Sequence, residues 1–114
     1  MIKLKRAYEA AAEEDGFRVL VERLWPRGLT KERARIDLWL KDIAPSPELR
    51  KWYGHETEKW EQFRQRYRKE LSARKDLVDM LKQKSGERTV TFVFAARDER
   101  HNSAAALKEF IEKT

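Results

Sequence analysis

The sequence contains no cysteine, which excludes disulfides, thiolate metal ligands and cysteine nucleophiles. Its two histidines cannot by themselves build an all-histidine metal site, and no other metal-ligand spacing stands out. We therefore predict no metal and no cofactor. No apolar run is long enough to span a bilayer, and the first residues lack the apolar region of a secretory signal. These absences predict a cytoplasmic protein without a membrane partner.

The chain is highly charged, and its length of 114 residues predicts a single domain over residues 1–114. Charged residues make up 40% of the chain, against about 25% in an average domain. The 26 basic residues outnumber the 20 acidic ones and give a net charge of +6. Both signs are mixed along the chain. A solvated surface and a basic face that attracts phosphate, nucleotide or polynucleotide therefore both remain open.

Strand and helix patterns are clear over most of the chain. Residues 2–8 and 17–22 alternate and predict two strands, which we expect to pair with each other. Residues 88–96 are apolar on both faces after Thr91, which is typical of a buried central strand. Apolar stripes predict helices at residues 56–72, 76–84 and 102–113. Capping residues predict a shorter helix at 47–53 and a helical turn at 30–35, and residues 36–40 are undecided between helix and strand.

The order of these elements predicts an α/β fold. We expect a small, mainly parallel sheet of three to four strands that is covered by helices. Short polar residues and glycines at the element ends support the helix boundaries. The predicted caps are Thr30, Ser46 and either Asn102 or Ser103 at helix starts, and Gly54 and Gly86 after helix ends.

Residues 23–28, Arg-Leu-Trp-Pro-Arg-Gly, form the first candidate binding segment, directly after the second strand. Ligands of open α/β sheets bind outside the carboxyl ends of the strands. The guanidinium groups of Arg23 and Arg27 can clamp a carboxylate or a phosphate there. Trp25 would wall the pocket, and Gly28 permits an unusual backbone angle. The alternative is that the tryptophan packs in the core and the arginines pair with acids.

Residues 95–103 form the second candidate, because they join the strongest strand to the last helix. A helix N-terminus offers unpaired backbone N–H groups and a partial positive charge to an anion. The glycines and the lysine of a Walker loop are missing. The alternative is an ordinary helix cap. The candidate residues are Arg97, Asn102 and Ser103 for binding, and Asp98 and His101 for proton transfer.

Residues 49–55, Leu-Arg-Lys-Trp-Tyr-Gly-His, form the third candidate. His55 follows a glycine at a predicted helix end, where it could act as a general acid or base near neutral pH. Trp52 could stack on a base or wall the pocket. The alternatives are a structural histidine and a core tryptophan.

The predicted helix at residues 56–72, with the cations that follow it to residue 75, forms the fourth candidate. Its basic face could contact the phosphates of a nucleic acid. Glutamates lie among the basic residues and can instead form ion pairs along the helix. The nucleic-acid candidates are Arg64, Arg66, Arg68 and Lys69.

Four segments, which follow one another over nearly the whole chain, carry a family resemblance. They are Asp-Gly-Phe-Arg-Val-Leu-Val at 15–21, Arg-Leu-Trp-Pro-Arg-Gly at 23–28, Leu-Arg-Lys-Trp-Tyr-Gly-His at 49–55 and Ala-Ala-Arg-Asp at 95–98. The chain resembles the YeaO-like family of small bacterial proteins of unknown function (domain of unknown function 488). The resemblance implies a compact α/β domain and no established reaction.

The resemblance also implies a difference from longer relatives of the wider group, which look as though they have a Cys-His-Arg cluster around the last strand and helix. This chain has Phe94 at the strand position and His-Asn-Ser at residues 101–103. Thiol chemistry is therefore not available to it. Some family members are labelled winged-helix regulators, but no recognition helix followed by a β-hairpin wing is evident.

Three functions are compatible with the sequence. The first is a pocket for an anionic small molecule, bearing phosphate or carboxylate, with or without catalysis. The second is a nucleic-acid-binding or regulatory protein that uses the basic helix. The third is a protein-interaction module without a small-molecule site. The sequence does not specify the ligand or the oligomeric state.

Overall fold

A computed structural model describes residues 1–113 as one α/β domain around a wholly parallel, four-stranded sheet. The predicted fold class is confirmed. The sheet order is β1-β4-β2-β3, so the last strand of the chain lies between the first two. The strands are β1 (Ile2–Arg6), β2 (Phe17–Leu20), β3 (Leu38–Trp39) and β4 (Val90–Phe94).

Five helices accompany the sheet, and the predicted N-caps Thr30, Ser46 and Asn102 each accept a backbone N–H of the first turn. Gly54 ends the second helix in the left-handed conformation, as predicted. The helices are α1 (Lys31–Ala34), α2 (Pro47–Tyr53), α3 (Trp60–Ser72), α4 (Lys75–Glu87) and α5 (Ser103–Glu112), with short 3-10 turns at Glu13–Asp15, Lys41–Ile43 and Thr57–Lys59.

Three local predictions were wrong. The first two strands do not pair, because β4 is apolar on both faces and takes the shielded place between them. Gly86 does not end α4, which continues to Glu87 because this glycine is not in the left-handed conformation. The helix predicted from residue 56 begins as a 3-10 turn, and α3 starts at Trp60.

The two faces of the sheet have different cores. One face packs Val19, Val21, Phe92 and Phe94 against the apolar sides of α2 to α5. The opposite face carries a small cluster of Ala7, Leu20 and Val93, with Trp25, Leu29, Ile36 and Trp39 packed over it. The side chains of adjacent strand residues point to opposite faces, so neighbouring apolar residues of β2 and β4 serve both cores.

Charged residues are also buried on the second face. Arg18 and Asp15 are only 3% and 4% exposed, and Arg18 Nη1 lies 2.6 Å from Asp15 Oδ2. The guanidinium also donates from Nε (3.0 Å) and Nη2 (2.7 Å) to the carbonyl of Ala34. Burial favours a raised pKa for Asp15, but hydrogen bonds from the Ala12 amide, Lys5 and Arg18 outweigh it and lower the pKa.

Within residues 1–113, no helix has the length and apolarity needed to cross a membrane.

Candidate functional site

A pocket of about 220 Å³ opens beyond the carboxyl ends of β2 and β4. This is the edge of a parallel sheet where ligands of α/β proteins bind. Residues from both strand ends, from the end of α2 and from the start of α5 converge there. The polar residues that line the pocket are Glu22, Arg23, Arg50, Tyr53, His55, Asn102 and Ser103.

Glu22 lies two residues beyond the end of β2 and ties it to β4. Its Oε2 accepts the backbone N–H of Ala95 at 3.0 Å. Burial raises the pKa of Glu22, while the Ala95 amide and the charges of Arg50 and His55 oppose the rise. A carboxylate in this position can accept a hydrogen bond from a ligand as well as from the backbone.

Arg23 follows Glu22, and its guanidinium group has no short hydrogen bond among the described residues. Its Nη2 lies 3.4 Å from the carbonyls of both Ala44 and Pro45, beyond the usual range for a strong hydrogen bond. Its Nε is buried and has no acceptor in the described part of the chain. An unsatisfied buried donor costs about 1–3 kcal/mol, so this guanidinium is positioned to gain from an added acceptor.

The end of α2 delivers two further side chains to the pocket. Gly54 (φ 52°) and His55 (φ 59°) are both left-handed, and this turn brings His55 to the pocket wall near Arg50. A left-handed histidine is uncommon and is held by its surroundings. The hydroxyl of Tyr53 donates to the carbonyl of His101 at 3.0 Å, which fastens α2 to the loop before α5.

The N-terminus of α5 forms another wall. Asn102 is 3% exposed, and its side-chain oxygen accepts the N–H of Ala105 at 2.8 Å. Its Nδ2 donates to the carbonyl of Asp98 at 2.8 Å. The amides of Ser103 and Ala104, in the first turn, have no carbonyl within the helix to bond. They carry the positive end of the helix dipole toward the pocket.

Removing the Asn102 cap should destabilise the protein. We expect Asn102→Ala to lower the free energy of unfolding by about 0.5–2 kcal/mol, because the Ala105 amide loses its acceptor. Urea denaturation would measure the change. Asn102→Ser, which keeps a capping oxygen, should recover a large part of the loss. An equal loss in both variants would contradict a capping role.

Comparisons with known proteins give the family. The family model DUF488-N3i, described as the inactive DUF488-N3 subclade, matches residues 1–114. This chain belongs to the DUF488-N3i family. The match confirms the predicted YeaO-like, DUF488 membership.

The DUF488-N3i chain is similar to uncharacterized proteins along nearly its whole length. It is 40% identical over 110 residues to Rv3073c of Mycobacterium tuberculosis and to Mb3100c of Mycobacterium bovis, covering 96% of this chain and 92% of each relative. It is 36% identical over 110 residues to YeaO of Escherichia coli, covering 96% of both chains. No solved structure matches it.

Four of the binding and catalytic candidates meet at the DUF488-N3i pocket. Arg23, His55, Asn102 and Ser103 come from three separate segments of the sequence, and all four line it. Their convergence follows from the adjacency of β2 and β4 and from the contact between the end of α2 and the loop before α5.

The rest of the first segment lies elsewhere in the DUF488-N3i fold. Trp25 packs edge-on against Trp39, with ring centroids 5.5 Å apart, on the opposite face of the sheet. Its Nε1 donates to the carbonyl of Leu29 at 2.6 Å. The side chain of Arg27 is exposed and does not line the pocket. Gly28 lines a separate surface groove.

Asp98 and His101 pair with each other instead of lining the pocket. His101 Nδ1 lies 2.9 Å from Asp98 Oδ2, and the His101 ring meets Trp60 edge-on at 5.3 Å. Hydrogen bonds from the backbone amides of Arg100 and His101, and from the His101 side chain, lower the pKa of Asp98. Arg97 is exposed and also lies outside the pocket lining.

Most of the basic-helix candidates have partners within the DUF488-N3i domain. Arg66 stacks over the Trp52 ring at 4.1 Å, and neither residue lines the pocket. Arg64 forms ion pairs with Glu61 and Glu109, and Arg68 lies 3.2 Å from Glu109. Lys69 is exposed. The acids among the basic residues therefore neutralise part of this face.

Sequence reasoning missed Glu22, Arg50 and Tyr53. Glu22 was read as the last residue of an alternating strand, although a carboxylate beyond an apolar strand end is itself a signal. Arg50 and Tyr53 lie within the third candidate segment, residues 49–55, but only His55 and Trp52 are predicted there as site residues. Among residues 1–113, no group of three or more His, Asp or Glu side chains is arranged to hold a metal ion.

Proposed function

We propose that this protein binds a small anionic ligand, bearing phosphate or carboxylate, in the pocket beyond β2 and β4. The observation that carries the proposal is the guanidinium of Arg23, a pocket-lining side chain whose Nη2 has only long contacts of 3.4 Å and whose Nε has no acceptor among residues 1–113. A guanidinium offers a fork of donors that matches the geometry of carboxylate and phosphate oxygens.

Three further features of the pocket favour an anion. Arg50 adds a cationic donor on α2, and the imidazole of His55, just after the end of α2, adds a further hydrogen-bonding group. The first turn of α5, at Asn102 and Ser103, adds backbone amides and a partial positive charge. Together these groups surround a space lined by Ala95, where a charge-assisted hydrogen bond is stronger than in water.

The proposed role is binding without turnover. The matching family model is described as an inactive subclade, and the chain has no cysteine. His55 is the one histidine among the residues that line the pocket, and the Asp98–His101 pair lies outside the lining. His55 is therefore proposed as a binding group for the anion.

A backbone amide NMR titration tests the proposal. Inorganic phosphate, acetate and a short duplex DNA would be added separately, each at two salt concentrations. We expect saturable shifts at Ala95, Ser103 and their neighbours with phosphate or acetate. Absence of such shifts would refute the proposal. Salt-sensitive shifts along α3 with DNA alone would instead support nucleic-acid binding, and no response to any probe would favour a protein partner.

Two variants on α2 provide a matched comparison. We expect Arg50→Ala to weaken phosphate or acetate binding by roughly tenfold or more, because a charge-assisted hydrogen bond contributes about 1.5–3 kcal/mol. Lys51→Ala changes the net charge equally, but Lys51 is exposed and does not line the pocket. The affinity of Lys51→Ala for phosphate or acetate should match that of the wild type. Equal weakening in both variants would indicate a nonspecific charge effect.

A further inference from the structure

Glu22 is the one acidic residue in the pocket lining, and it lies next to groups that favour anions. Within residues 1–113, the Ala95 amide is the one hydrogen-bond partner of the Glu22 carboxylate, and no basic side chain there forms a salt bridge with it. Arg50 and His55 act on it electrostatically from a longer distance. The carboxylate therefore retains acceptor capacity on the pocket side.

A ligand with negative charge alone should bind this site more weakly than a ligand that also carries a positive donor. Its anion would approach Arg23 and Arg50 and would meet the carboxylate of Glu22 in the same small space. Like charges in a half-enclosed site repel one another more strongly than in bulk water. A ligand that also carries a positive donor would satisfy Glu22 and leave the arginines free for the anion.

The size of the pocket limits the size of the ligand. Its volume of about 220 Å³ is below the range of roughly 300–1,000 Å³ that is typical of sites for drug-sized ligands. A molecule with a few non-hydrogen atoms between its two charged groups matches this space.

We infer that the pocket binds a small zwitterion whose phosphate or carboxylate lies against Arg23 and Arg50 and whose ammonium group pairs with Glu22. This inference rests on the proposed function, since it names the ligand class for the same pocket. The two charges on the ligand match the two signs of charge in the lining.

Isothermal titration calorimetry with matched probes tests the inference. 2-Aminoethyl phosphate and ethyl phosphate differ by one amino group, and β-alanine and propionate form the corresponding carboxylate pair. At pH 7 and low salt we expect the amino compound of at least one pair to bind about tenfold or more tightly than its partner. The pair in which the amino compound binds more tightly than its partner identifies the anion of the ligand as phosphate or carboxylate.

A charge-removing variant checks the role of Glu22. Glu22→Gln keeps the size of the side chain and an acceptor for the Ala95 amide, and it should reduce the preference for the amino compound to near unity. Glu48→Gln removes the same charge from an exposed residue of α2 that does not line the pocket, and it should keep the preference.

The outcomes distinguish the zwitterion preference from the anion binding on which it rests. Equal binding of the amino and deamino probes to the wild type would overturn the zwitterion, and so would a preference that survives Glu22→Gln. Both results leave the anion pocket intact. No binding of any of the four probes would overturn the proposed function as well. The wild-type comparison holds whether or not the variant folds.

Discussion

Arg18→Ala should lower the free energy of unfolding by about 3–5 kcal/mol, because it leaves the buried carboxylate of Asp15 without its closest cation. The carbonyl of Ala34 also loses the two donors that it accepts from the guanidinium. A domain of this size has a total stability of about 5–15 kcal/mol, so the loss is a large part of it. Urea denaturation at pH 7 would measure it.

A control variant and the pH dependence of stability test whether this loss comes from the Arg18–Asp15 pair. Arg33→Ala removes an exposed arginine from α1 and should change stability by no more than about 0.5 kcal/mol. The lowered pKa of Asp15 stabilises the wild type above the usual aspartate pKa, and this contribution is lost as the pH falls toward the folded-state value. The difference between wild type and Arg18→Ala should therefore narrow in acid. A difference that is constant with pH would contradict this account.

Gly16→Ala should destabilise the protein by about 2–6 kcal/mol, since strain and a steric clash act together. Gly16 precedes β2 with φ 65° and ψ −129°, a region that side chains rarely adopt. A Cβ there would lie 2.3 Å from the carbonyl oxygen of Thr89. That oxygen accepts the N–H of Phe17 at 3.0 Å, so it cannot move without disturbing the sheet. Thermal and urea unfolding would both report the loss.

Substitutions at two other glycines distinguish the backbone strain at Gly16 from the steric clash there. Gly28 has φ 79° but no atom within 4 Å of an added Cβ, so Gly28→Ala should cost only the strain, about 1–2 kcal/mol. Gly86 lies inside α4 with open space around it, and Gly86→Ala should stabilise the protein by about 0.5–1 kcal/mol. If Gly16→Ala and Gly28→Ala cost the same, the clash with Thr89 is not the cause.

Local signals predicted α2 well because they lie in neighbouring residues. Ser46, Pro47 and Gly54 set the start and end of this helix through their own backbone preferences, independently of the rest of the fold. The partner of β1 could not be predicted in this way. Its choice of β4 joins residues nearly ninety positions apart, and nothing in the alternation of residues 2–8 specifies that distance.

The candidate site was also predicted only in part, because local signals identify some of its residues and long-range contacts decide the others. Arg23 and Asn102 were identified because polar residues follow two strong strands, and the adjacency of β2 and β4 brings them to one pocket. Trp25 is two residues from Arg23 in the sequence but lies on the other face, where Trp39 offers an aromatic partner. The direction of a side chain beyond a strand end depends on such tertiary partners, and the sequence pattern does not report them.

The central position of β4 also affects how the chain is made. On the ribosome, β1 and β2 emerge well before the strand to which both of them hydrogen-bond. Until residues 90–94 are synthesised, β1 has no partner in the sheet and β2 can pair only with β3. The sheet is therefore completed only when the last strand is available, and its formation depends on contacts between residues far apart in the sequence.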